Sequence, residues 1–292
     1  MSRTSPQRRV TRVTVGQANV SVRDALAGEE PLEIRVRGRS LAVTMRTPGD
    51  DFDLAAGFLV SEGVISRSYE LTTMRYCAGA GDDGINRYNV LDLSLASDVP
   101  SPDDSVARAF FTTSSCGLCG KASIDAVRTR SLYDVGDDAV VVSAEFLVAL
   151  PRRLRQAQAI FDTTGGLHAA ALFDASTGDL LVLREDVGRH NAVDKVVGWA
   201  LREGRLPLRG VVLLVSGRAS FELVQKAAMA GVPVLCAVSA PSSLAADLAD
   251  ELGLTLVGFL RDPSFVVYSH AHRVTTDARH GSPSVPLETH HE

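Results

Sequence analysis

Cysteine is scarce in this sequence, with four among 292 residues, and its uninterrupted apolar stretches are short. So few cysteines in a chain of this length make no disulfide framework, and they point to a reducing, cytoplasmic compartment. The longest apolar runs, such as Val211 to Val215, suit core strands and are far too short to span a membrane. The N-terminus is basic but passes straight into an alternating Val-Thr-Arg-Val-Thr-Val pattern, without the apolar region that secretion needs. A basic excess is missing as well: the formal net charge of −5 argues against coating nucleic acid, though a local anion pocket stays open. The sequence has no convincing internal repeat.

What is present is an ordinary globular composition, 45% hydrophobic and 22% charged, enough for one large domain or two unequal ones. The first third is strand-rich. Thr11 to Val15, Leu32 to Val36 and Leu41 to Met45 alternate, Arg37-Gly38-Arg39 reads as a hairpin turn, and Leu91, Leu93 and Leu95 repeat the period. Phe52 to Val60 has helical spacing, with Asp50 or Asp51 placed to cap it. Ala78 to Gly84 reads as a loop. Farther on, Ala144 to Ala157 is a predicted helix that Pro151 could break, and Ala170 to Phe173 with Leu180 to Leu183 forms a hairpin. Helices over Asn191 to Leu201, Phe221 to Ala230 and Ser242 to Leu252 then alternate with strands at Val211 to Val215, Val232 to Val238 and Leu254 to Phe259. This is the rhythm of an α/β layer on a central sheet. After Tyr268 the chain turns polar and carries five of the seven histidines, the pattern of a frayed tail.

The chemistry concentrates at Ser114 to Lys121, Ser-Ser-Cys-Gly-Leu-Cys-Gly-Lys. Cys116 and Cys119 are spaced to share a metal, close a small disulfide or relay a sulfur atom, and Gly117 and Gly120 let the backbone bend. Lys121 and a helix-compatible run from Ala122 to Thr129 favour the thiolate, and hence a nucleophile. A zinc site would need further ligands from Cys77, Cys236, His168 or His190, and no second Cys-x-x-Cys or His-x-x-x-His supplies them.

Three polar turns fall where strands should end and helices begin, the usual ligand-binding edge of an α/β sheet. Ser216-Gly217-Arg218-Ala219-Ser220 offers a close backbone approach, a planar cation and a helix cap at Ser220. Ala237 to Ser243 repeats the logic, and Arg184 to Asn191 gathers two cations, two carboxylates and His190. Capping and turn chemistry explain each turn equally well; together they favour a polyanionic ligand.

These segments, in order, carry a family resemblance: Gly49-Asp50-Asp51 through Gly57 to Gly63, Ser114 to Lys121, Thr164 to Ala170, Arg184 to Lys195, Ser216 to Glu222 and Ala240 to Ala245. They resemble the FdhD (FdhD/NarQ) family of sulfur carriers required by formate dehydrogenases, over about Arg12 to Ser269. The resemblance implies a cytoplasmic sulfurtransferase that takes sulfane sulfur from a cysteine desulfurase and passes it to the molybdenum bis(molybdopterin guanine dinucleotide) cofactor, its bound substrate. Formate dehydrogenase would be the recipient. Cys116 would hold the persulfide, with Cys119 assisting or resolving it; no resident metal, nucleic acid or membrane is implied, and a homodimer is expected. The guanosine diphosphate-like ends of the cofactor would meet Ser216, Gly217, Arg218 and His190, together with the stretch Phe259, Leu260, Arg261, Asp262, Pro263 and Ser264, where Arg261 is the phosphate partner. The implied fold is α/β: a small strand-rich N-terminal part over 1–110, a Cys-x-x-Cys loop and helix over 111–135, a cytidine-deaminase-like α/β domain with a central mixed sheet over 136–269, and a polar tail over 270–292. Deamination itself is not expected, because Ala170 stands where the deaminase glutamate is required and no Pro-Cys-x-x-Cys follows. The competing reading is a non-catalytic cofactor-binding chaperone of formate dehydrogenase with a structural or zinc-binding cysteine pair.

Overall fold

The structure is a computed structural model and describes residues 2–77, 88–102 and 131–276. The chain opens with a hairpin, β1 (Gln7–Arg12) against β2 (Val20–Ala25). The expected strand at Thr11 to Val15 therefore lies earlier, and Val13 and Val15 are exposed in the connection. β3 (Glu30–Val36) and β4 (Arg39–Arg46) follow as an antiparallel pair closed by Arg37 and Gly38, both at positive φ, the backbone that a two-residue hairpin turn requires. After α1 (Asp51–Ser61), strands β5 (Leu71–Tyr76) and β6 (Val90–Leu95) complete a four-stranded sheet of order β4-β3-β6-β5. Neither expected aspartate caps α1 as predicted. Asp50 sits at the N-cap with left-handed backbone and no side-chain cap bond, and Asp51 is instead buried in an ion pair with Arg46, at 2.8 Å.

The second sheet has six strands. After the short β7 (Val142–Ser143) come α2 (Ala144–Ala157) and α3 (Ala159–Thr164), then the hairpin β8 (His168–Asp174) and β9 (Leu180–Asp186). Next are α4 (Arg189–Arg202), β10 (Val211–Val215), α5 (Phe221–Met229), β11 (Val234–Ala237), α6 (Ser243–Glu251), β12 (Thr255–Arg261) and β13 (Ser264–Ser269). The strand order is β13-β12-β11-β10-β8-β9, with β10, β11 and β12 parallel and the outer pairings antiparallel. α2 runs through Pro151 without a break, capped by the Ser143 hydroxyl accepting from the Phe146 amide.

Strand alternation builds two cores. Ala169, Ala171 and Phe173 of β8 face α2 through Leu147, Leu150 and Leu154, while Ala170 and Leu172 face the other way. That second core is continuous: it joins the buried stripe of α4 (Val193, Val196, Val197, Ala200 and Leu201) to α1 and to Leu32, Ile34, Leu91 and Leu93 of the four-stranded sheet. α1 and α4 cross backbone to backbone. A Cβ on Gly57 would overlap the Asp194 carbonyl oxygen, and one on Gly198 that of Asp53, so only glycine fits at the crossing. Buried polar contacts secure it: Ser61 donates to Asp194 at 2.7 Å, Lys226 pairs with Asp194 at 2.8 Å, and Arg184 pairs with Asp53 at 2.8 Å.

Order continues past Ser269, where a frayed tail was expected to begin. Residues Ala271–Arg273 make a 3-10 turn and β14 (Val274–Thr275) pairs with β7. Arg273 is buried and donates to the carbonyl oxygens of Val135, Gly136, Asp138 and Gly253, contacts with residues remote in sequence that no local polarity reveals.

Candidate functional site

Because β10, β11 and β12 are parallel, the loops after them leave from one edge of the sheet. Backbone bonds lace these loops together. Val238 donates to the Val215 carbonyl (3.1 Å), Ser239 to Gly217 (3.4 Å), Ser242 to Ala219 (3.0 Å) and Phe259 to Ser239 (3.2 Å). β8 runs antiparallel to β10, so its first residue, His168, comes to the same edge, and its partner Asp186 at the end of β9 leads into α4 there. The predicted residues at 190, 216–218 and 259–264, scattered in sequence, thus lie along one edge.

Each is held differently. The Ser216 hydroxyl accepts from the Ala169 amide at 2.9 Å and extends the β8–β10 ladder. A Cβ on Gly217 would touch His168 at 3.4 Å and the Arg189 side chain at 3.8 Å, which places this glycine beside both. Arg218 is exposed. His190 Nε2 lies 2.8 Å from a Glu222 carboxylate oxygen and 3.3 Å from the Ser220 hydroxyl. Ser220 stands at the N-cap of α5 as expected, yet its hydroxyl makes no capping bond and faces His190 instead. In the later stretch Leu260 is buried in the α2-side core, whereas Arg261, Asp262, Pro263 and Ser264 are exposed at the β12–β13 turn. Phe259 is 38% exposed and holds a left-handed backbone, φ 50°, where β12 bulges.

The start of α4, which carries Arg189 and His190, is anchored by Asp186, a residue whose role no sequence pattern flags. Its carboxylate is fully buried and accepts from the amides of Thr47 (3.1 Å) and Gly188 (2.8 Å) and from Asn191 Nδ2 (3.0 Å). Lys195, equally buried, closes the arrangement at 2.8 Å. Glu185 turns the other way and accepts from the Ile160 and Phe161 amides, which satisfies the first turn of α3. Arg189 and the exposed Arg218 bring positive charge to the edge. Burial lowers the pKa of His168, and the nearby Arg189 and His190 lower it further. The hydrogen bond from His190 holds the Glu222 carboxyl below the usual carboxylate range, against the opposing effect of burial.

A family model for the FdhD/NarQ family matches residues 27–275. The chain belongs to the FdhD/NarQ family. Among its relatives, the chain is 61% identical over 280 residues to the sulfur carrier protein FdhD of Streptomyces avermitilis, covering 95% of this chain and 98% of that protein. It is 60% identical over 268 residues to the sulfur carrier protein FdhD of Mycolicibacterium paratuberculosis, covering 92% and 98%. A crystal structure from Desulfotalea psychrophila, of a protein described as a formate dehydrogenase accessory protein, shares the fold with a TM-score of 0.71 at 23% identity, over 93% of this chain and all of that one.

The FdhD/NarQ resemblance read from the ordered motifs is therefore correct, and the mixed α/β fold with it. Cys116, Cys119, Lys121, the run Ala122 to Thr129 and the loop Ala78 to Gly84 lie outside the described residues. Of the two described cysteines, Cys236 is buried on β11, where burial raises its pKa, and Cys77 is partly buried just after β5. Among the described residues no three His, Cys, Asp or Glu side chains gather to hold a metal ion, and no helix is long and apolar enough to cross a membrane.

Proposed function

We propose that this FdhD/NarQ protein is a sulfurtransferase that carries sulfur as a persulfide on Cys116 and passes it to the molybdenum bis(molybdopterin guanine dinucleotide) cofactor for formate dehydrogenase. The observation that carries the reading is about 60% identity, over nearly the whole chain, to proteins named sulfur carriers. In the first step the Cys116 thiolate attacks the outer sulfur of a cysteine desulfurase persulfide. A new S–S bond forms on Cys116, and the desulfurase cysteine leaves as thiolate. In the second, the outer sulfur passes to the cofactor as the Cys116 thiolate leaves, and two electrons from a thiol reductant bring that sulfane sulfur to the sulfide level. Cys119 assists or resolves the persulfide. The sheet edge with His168, Arg189, His190, Ser216, Gly217, Arg218 and Phe259 to Ser264 holds a guanosine diphosphate-like end: cations and turn amides suit its phosphates, and the exposed Phe259 ring suits its base. We further propose that the unit over 136–269 is a cytidine-deaminase-like fold turned to nucleotide recognition, distinct from the part over 1–110 and the cysteine segment over 111–135. The protein would work as a homodimer in the cytoplasm.

Intact-mass measurement after incubation with a cysteine desulfurase and cysteine tests the chemistry. The expected product carries about one added sulfur atom, sensitive to reductant and absent from Cys116→Ala. A wild-type protein that binds the cofactor but never acquires sulfur would replace this reading with the cofactor-binding chaperone.

A further inference from the structure

Among the described residues, Arg189 Nε is the one buried side-chain nitrogen or oxygen without a hydrogen-bond partner. Every neighbouring charge of opposite sign is already engaged. Asp186 binds Lys195, two backbone amides and Asn191, and Glu222 pairs with His190. A buried donor without an acceptor keeps its full desolvation penalty, so folded proteins rarely leave one without a functional reason or a bound water or ion to supply the acceptor. The rest of the Arg189 side chain is partly exposed, so a ligand can reach the guanidinium from solvent. Gly217 and His168 pack beside it: a Cβ at 217 would touch both His168 and Arg189 Cδ. Arg189 begins α4, whose N-cap, Gly188, provides no side-chain acceptor, so the first turn also presents unsatisfied amides there.

We propose that Arg189 is the residue that binds the phosphate-class oxyanion of the ligand at this edge, while the exposed Arg218 is secondary. This rests on the nucleotide-end reading above and assigns the anion contact within it. Arg218 is solvated, and a solvated cation gains little from a phosphate that water screens. The Arg189 Nε is already buried without a protein hydrogen-bond partner, so an oxyanion that meets the guanidinium restores a hydrogen bond there at less desolvation cost than at the exposed Arg218. A guanidinium also meets two phosphate oxygens at once, which an ammonium cannot.

Calorimetric titration of the full-length protein with guanosine diphosphate and with guanosine separates the outcomes. Arg189→Gln should weaken guanosine diphosphate by about 10- to 100-fold and leave guanosine unchanged, as expected for loss of one charge-assisted contact. Arg189→Lys should recover part of the loss. The melting temperature of Arg189→Gln should change little, because the buried Nε has no hydrogen-bond partner in the folded chain and Arg189 is no more than a minor charge neighbour of Glu222. Guanosine diphosphate binding at wild-type strength in Arg189→Gln overturns the assignment and leaves the nucleotide-end reading standing. Equal weakening of guanosine and guanosine diphosphate, or a lowered melting temperature, also overturns it by marking Arg189 as structural. A wild-type protein that binds neither compound overturns both.

Discussion

Replacing Lys195 by Met tests whether the buried anchor holds the binding edge in place. The ammonium is 1% exposed, touches Asp186 at 2.8 Å, and donates to the Thr47 and Glu185 carbonyls at 2.9 and 3.3 Å. Met fills much the same volume, so the loss is electrostatic: a fully buried carboxylate keeps three N–H donors but loses its counter-charge. Breaking a buried pair from one side costs about 3–5 kcal/mol. The three remaining donors place Lys195→Met near the lower end, about 3 kcal/mol, or roughly 6–12 °C in melting temperature for a chain somewhat larger than the usual reference proteins. Urea denaturation at pH 7 would measure it, with an unchanged m-value as the sign that the unfolded state is unaltered. Removing both charges in Lys195→Met/Asp186→Asn should cost less than the two single changes added together, by about 1–3 kcal/mol, because neither charge is then left alone. Additivity of the two single changes, or a loss below about 1 kcal/mol in Lys195→Met, would refute the anchor. The same Asp186 carboxylate positions Gly188 and Asn191 on either side of Arg189 and His190, so a loosened anchor should also weaken guanosine diphosphate binding.

Gly198→Ala should lose at least about 3 kcal/mol in urea denaturation, since the new methyl meets the Asp53 carbonyl and the two helices must part; a loss under about 1 kcal/mol would contradict the close crossing. His168 has a lowered folded pKa, from burial first and then from Arg189 and His190, so below about pH 6.5 the unfolded chain takes up a proton that the folded chain resists. Stability should therefore fall as pH drops from about 7 to 5, and His168→Gln should flatten that slope in thermal melts. An unchanged slope would show that His168 is not strained. Glu222 has the opposite linkage to a raised group: its folded pKa is depressed, chiefly by the His190 hydrogen bond, so its stabilisation is present above about pH 4.5 and vanishes as pH falls through the folded value. Glu222→Gln should accordingly shed part of the acid-side loss of stability seen in the parent protein.

What the sequence determined alone was local and ordered. Val211 to Val215 read as a buried strand because five apolar residues end at a polar turn, and that turn read as a ligand edge because Gly217 and Arg218 follow a strand and precede a helix. Ala144 to Ala157 read as a helix because its period is self-contained, and Pro151 did not break it. The family was legible for a related reason: its motifs are short, and their order along the chain is itself information. Tertiary structure decided what depends on which distant groups meet. That Gly57 faces Gly198, that Asp186 rather than its neighbour Glu185 binds Lys195, and that Ser220 faces His190 instead of capping α5 follow from the crossing of α1 over α4 and from sheet order. Arg273 is the plainest case, read as tail for its polar surroundings yet buried by carbonyls remote in sequence. Arg189 belongs with these: in sequence it is one more arginine in a polar turn. Its meaning comes from an absence, the lack of an acceptor beside a buried nitrogen, and only folding all the neighbours around it could show that.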